Sequence, residues 1–62
     1  MSTARPIVLV SPGLWAATDG SGWQYEMNDN RWYAARDGYR QSDDYATLAE
    51  AVAWSTNRKG KQ

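Results

Sequence analysis

One pattern occurs twice in this chain, and it limits the fold more than any other feature. Residues 14–20 read Leu-Trp-Ala-Ala-Thr-Asp-Gly, and residues 32–38 read Trp-Tyr-Ala-Ala-Arg-Asp-Gly. Asp-Gly behind a short apolar run signals a hairpin, because a type I′ turn needs positive φ at both central residues. The doublet therefore predicts two tandem β-hairpins.

Strand parity then sorts the side chains. A two-residue loop at Asp19-Gly20 sets Leu14 opposite Tyr25 and Ala16 opposite Trp23. Alternate residues of a strand share a face, so Leu14, Ala16, Trp23, Tyr25 and Met27 gather on one side. Asn28-Asp29-Asn30 is a polar turn. Pairing Met27 with Trp32 across it adds Trp32 and Ala34 to the same face, and a one-residue slip there would substitute Tyr33 and Ala35. The second hairpin turns at Asp37-Gly38, with Arg36 opposite Tyr39. The other face holds Trp15, Ala17, Gln24, Glu26, Tyr33, Ala35, Arg40 and Ser42.

Two further elements flank the hairpins. Residues 6–10 are rich in β-branched side chains and predict a strand, with Pro6 suited to its start. Ser11-Pro12-Gly13 predicts a turn. Thr47-Leu48-Ala49-Glu50 fits a capping box, opening a helix with Leu48, Ala51, Val52 and Ser55 on one stripe and Trp54 beside it. The expected fold is α+β: an antiparallel meander of four to five strands with one C-terminal helix packed on one face. A partly closed, SH3-like barrel with a terminal helix is the alternative. Residues 1–62 make one small domain, with 1–5 and 58–62 expected to be flexible.

Composition narrows the function. A chain of 62 residues buries only about 60% of its unfolded surface, so stability is marginal without help. There is no cysteine and no histidine, which removes disulfides, thiolate metal sites and the commonest general base. No Ser-His pairing, phosphate-binding glycine loop or carboxylate-rich metal motif is present. Asp43-Asp44 is the one adjacent acidic pair, and neighbours on a strand point to opposite faces. An enzyme is not expected, nor a cofactor or a metal. No apolar run approaches the roughly 20 residues of a membrane span. The cysteine-free composition suits a reducing cytoplasm.

Seven basic residues balance seven acidic ones, which does not favour a dedicated nucleic-acid binder. The aromatic content is four Trp and four Tyr. If the helix covers the Leu14 face, Trp15 and Tyr33 are exposed aromatics on a flat surface, with Arg40 and Glu26 as polar neighbours. Tyr, Trp and Arg are the types enriched at protein-binding hot spots. If residues 6–10 fold across that surface instead, both aromatics become core.

Two resemblances extend this reading. Residues 31–54, from Arg-Trp-Tyr-Ala-Ala-Arg-Asp-Gly through Thr47-Leu48-Ala49-Glu50-Ala51 to Trp54, resemble the sheet-plus-helix DNA-binding domains of phage integrases and the AP2 family. That resemblance implies a sheet in the major groove, with Arg31, Arg36, Arg58, Lys59 and Lys61 as candidate nucleic-acid contacts. Here the face that would read DNA offers Arg40 against Glu26, which departs from the basic face of those families. In size, charge and aromatic-rich strands the chain is also similar, in style rather than motif, to small phage accessory proteins such as anti-CRISPRs. That similarity implies a non-enzymatic module that blocks a host protein or defence complex by steric occlusion. A structural homodimer is the remaining expectation.

Overall fold

The structure is a computed structural model, and it describes residues 5–56. Strands β1 (Ile7–Ser11), β2 (Leu14–Ala17), β3 (Trp23–Asn28), β4 (Arg31–Arg36) and β5 (Tyr39–Arg40) precede helix α1 (Leu48–Thr56). The strands form one open antiparallel sheet in sequence order, a five-stranded meander rather than a closed barrel. Residues 6–10 do not fold across a face. They lie beside β2 and form one edge of the sheet.

Turn chemistry sets the register. Asp37 and Gly38 both have positive φ (57° and 82°), as a type I′ turn requires, and Arg36 pairs with Tyr39. Asp29 and Asn30 do the same between β3 and β4 (60° and 64°), so Met27 pairs with Trp32 and Tyr25 with Ala34. These registers match the sequence reading.

The first hairpin does not. Its connection spans residues 18–22, and positive φ falls on Gly20 and Gly22, not on Asp19. The Asp19 carboxylate accepts from the Ser21 amide at 3.0 Å, an Asx-type turn inside a longer loop. Trp15 consequently pairs with Tyr25, and Leu14 with Glu26. A shift of one residue exchanges faces. Trp15 and Ala17 join the side of Trp23 and Tyr25, while Leu14 and Ala16 move to the side of Gln24 and Glu26.

Helix α1 packs on β3 and β4 from the Tyr25 side. The core cluster is Trp23, Tyr25, Ala34, Ala51 and Val52, with Ile7, Trp15, Ala17, Trp32, Tyr45, Leu48 and Trp54 packed against it. Trp54 meets Trp23 edge-on, with ring centroids 5.6 Å apart. The capping box forms as expected: Glu50 donates its amide to the Thr47 hydroxyl, and the Thr47 amide donates to the Glu50 carboxylate, both at 3.2 Å. Beyond β5 the chain returns to β4, where Trp32 and Tyr45 exchange backbone hydrogen bonds. Ser42, expected on the open face, is buried instead. Its hydroxyl accepts from the Ala34 amide at 2.8 Å and closes the bend.

Candidate functional site

The sheet has one face under the helix and one face that no described element covers. By register the uncovered face carries two rows. Leu14, Glu26 and Tyr33 are neighbours across β2, β3 and β4, and Val8, Ala16, Gln24, Ala35 and Arg40 run across all five strands. Of the four residues singled out on sequence, this face holds Glu26, Tyr33 and Arg40. Trp15 is on the other side, half-buried against the core, because the longer β2–β3 loop turned it inward.

The three remaining residues interlock. The Tyr33 hydroxyl donates to the Glu26 carboxylate at 2.9 Å. The Arg40 guanidinium stacks over the Tyr33 ring at 4.8 Å. Its Nε donates to the Ser42 carbonyl at 2.8 Å, and its Nη2 pairs with Asp44 at 2.6 Å. Glu26 and Tyr33 are directly paired across β3 and β4, which makes the hydroxyl–carboxylate bond a cross-strand contact. That bond, with partial burial behind it, pushes the Tyr33 phenol above its ordinary range. Tyr33 therefore stays neutral at physiological pH and keeps donating. Asp44, one of the adjacent acidic pair, anchors Arg40.

The candidate nucleic-acid contacts are not brought together. Arg31 and Arg36 stand at opposite ends of β4 and, by parity, on opposite faces. Arg36 lies over the Trp23 ring at 4.5 Å on the helix side. Arg58, Lys59 and Lys61 lie outside the described residues, as do residues 1–4 and 58–62 of the ends expected to be flexible.

Arg5 has a structural role that the sequence reading missed when it took residues 1–5 as a loose start. Its Nη1 pairs with Asp19 at 2.7 Å, and its Nη2 donates to the Ser55 carbonyl at 2.9 Å. A cation at the last carbonyls of a helix is favourable, and α1 has no basic residue of its own in its last turn. Beneath it, Ser55 donates its single proton to the Val52 carbonyl at 2.8 Å, which leaves the Tyr25 hydroxyl to donate to Ser55 Oγ at 2.6 Å. Burial pushes the Tyr25 phenol upward, and the Ser55 bond opposes part of that shift.

Among the described residues, no group of three or more carboxylate, imidazole or thiolate side chains is placed to hold a metal ion. No described helix is long and apolar enough to cross a membrane. Compared with protein-family models, with curated proteins and with solved structures, the chain matches none.

Proposed function

We propose that this chain is a non-enzymatic protein-binding module that presents the sheet face opposite the helix. The observation carrying the proposal is the Glu26–Tyr33–Arg40–Asp44 cluster on that face. A Tyr and an Arg held in one geometry before any partner arrives lose little side-chain freedom on binding. Beside them lies a short apolar row on β2, the half-buried Leu14 and Ala16. A fixed Tyr–Arg pair beside an apolar row has the composition of a hot spot with its surround. Occlusion of a host protein by this face, in the cytoplasm that the cysteine-free composition suits, is the action we attach to it.

The test is capture from host lysate with the wild-type chain and a Tyr33→Ala/Arg40→Ala variant, each first shown to be folded by its far-ultraviolet spectrum. The proposal expects a discrete protein retained by the wild type and lost from the variant. Equal retention by both contradicts it. A salt-sensitive shift of duplex DNA that weakens on replacing Arg31 or Arg40 would favour a nucleic-acid module instead.

A further inference from the structure

Strand β1 is a sheet edge interrupted by a bulge at Val10, and its regular part, Ile7 to Leu9, has no residue that blocks pairing. It reads Ile-Val-Leu-Val-Ser and carries no charge. Val8, Leu9 and Val10 are 49%, 52% and 56% exposed, three consecutive apolar residues on the rim of an open sheet. Sheet edges are normally blunted by a bulge, by lysine, by inward charge, or by a proline that removes an outward donor. Pro6 does none of this. Its carbonyl accepts from the Thr18 amide at 2.9 Å, so the backbone groups of Pro6 face β2. Antiparallel pairing alternates, so Val8 also faces β2, and the amides and carbonyls of Ile7 and Leu9 point outward. Among the described residues nothing pairs with β1 on that side.

We infer that β1 pairs antiparallel with β1 of a second copy, with Val8 facing Val8 across a two-fold axis. In this register Ile7 of each copy exchanges both backbone hydrogen bonds with Leu9 of the other, using the four outward groups of each strand. Val8 meets Val8 as a non-hydrogen-bonded pair, the closer of the two pair types.

A second copy suits this edge for three reasons. Self-pairing opposes like residues to like, and an uncharged strand incurs no like-charge repulsion. The apolar side chains match on both faces: Ile7, already packed against the core cluster, gains Leu9 of the second copy on the helix side, and Val8 meets its equivalent on the open side. Finally, a small domain stabilised by few buried side chains is the kind that oligomerisation assists.

A two-fold axis perpendicular to the sheet leaves both helices on one side and joins both open faces into one surface. The Tyr33 clusters of the two copies then face the same way, and binding becomes bivalent. Pairing along so short a strand belongs to the small interfaces, below about 1,200 Å², that associate reversibly.

Val8 is half-exposed, so it accepts a charge without disturbing the core. Light scattering over a range of concentrations is compared for the wild type, Val8→Lys, Val8→Glu and an equimolar mixture of the two variants. Each chain is first shown to be folded at low concentration. The wild type is expected to rise with concentration from the 7.0 kDa chain mass towards twice that value. Each variant alone stays at the chain mass, because two like charges meet at the axis. The mixture recovers the doubled mass, because Lys then meets Glu. A wild type that stays at the chain mass at every concentration overturns the inference, and so does a single-charge variant that doubles as readily as the wild type. A mixture that fails to recover overturns the Val8-to-Val8 register. Loss of partner capture by the Tyr33→Ala/Arg40→Ala variant is independent of all these results, so the two proposals fail separately.

Discussion

Asp19 shows how one side chain changes the reading of a turn. As the first half of an Asp-Gly pair it predicts positive φ and a tight loop. Its carboxylate instead binds the Ser21 amide and the Arg5 guanidinium. Hydrogen bonding from Ser21, with Arg5 behind it, lowers its pKa from 3.8 to about 2. A folded value below the unfolded one means the contribution is fully present above pH 3.8 and is lost as pH falls through about 2. Denaturant midpoints of the wild type and Asp19→Asn, compared between about pH 5 and pH 2, should converge towards acid. A gap that stays constant over that window would mean the carboxylate gains nothing from folding. Tyr25 and Ser55 illustrate the same economy inside the core, where every buried polar side-chain atom among the described residues has a partner.

At the level of elements, legibility depended on turn length. The β3–β4 and β4–β5 registers could be read because Asp29-Asn30 and Asp37-Gly38 are two-residue loops whose residue types accept positive φ. The helix could be read because Thr47 and Glu50 have the spacing of reciprocal capping, and Ala51, Val52 and Ser55 fall on its buried stripe. The β2–β3 register could not be taken from Asp19-Gly20 alone. Gly22, two residues later, supplies a second positive φ, and a two-residue loop has no place for it. That second glycine, absent after Gly38, is what distinguishes the two copies of the repeat. Of the candidate site, Glu26, Tyr33 and Arg40 kept their face because they belong to β3, β4 and β5. Trp15 did not, because it is on the far side of the misread loop. Thr47→Ala should remove the cap and lower stability by about 1 kcal/mol, or roughly 4–8 °C in melting temperature for a domain of this size. Melting followed by circular dichroism checks this, and an unchanged midpoint would mean that packing alone holds the first turn of α1.

At the scale of the whole molecule, the aromatic residues fall on both sides of the sheet, and Tyr39 is left 73% exposed on β5. Trp15, Trp23, Tyr25, Trp32, Tyr45 and Trp54 gather in or against the core cluster on the helix side. Tyr33 stands apart on the uncovered side, fixed by Glu26 and Arg40. Among the described residues, α1 covers one face of the sheet and leaves the other face and the β1 edge uncovered. The loop at 18–22 decides this division, because one residue more or less exchanges Trp15 with Leu14. Thermal unfolding of Trp15→Ala and Tyr33→Ala, measured side by side, tests the division most directly. Trp15→Ala is expected to lose about 3 kcal/mol, the low end for a tryptophan because its side chain is only half-buried on the core. Tyr33→Ala is expected to lose about 1 kcal/mol or less, the worth of one hydrogen bond and one stacking contact on the uncovered face. Equal losses, or a larger loss at Tyr33, would contradict the assignment of the two faces.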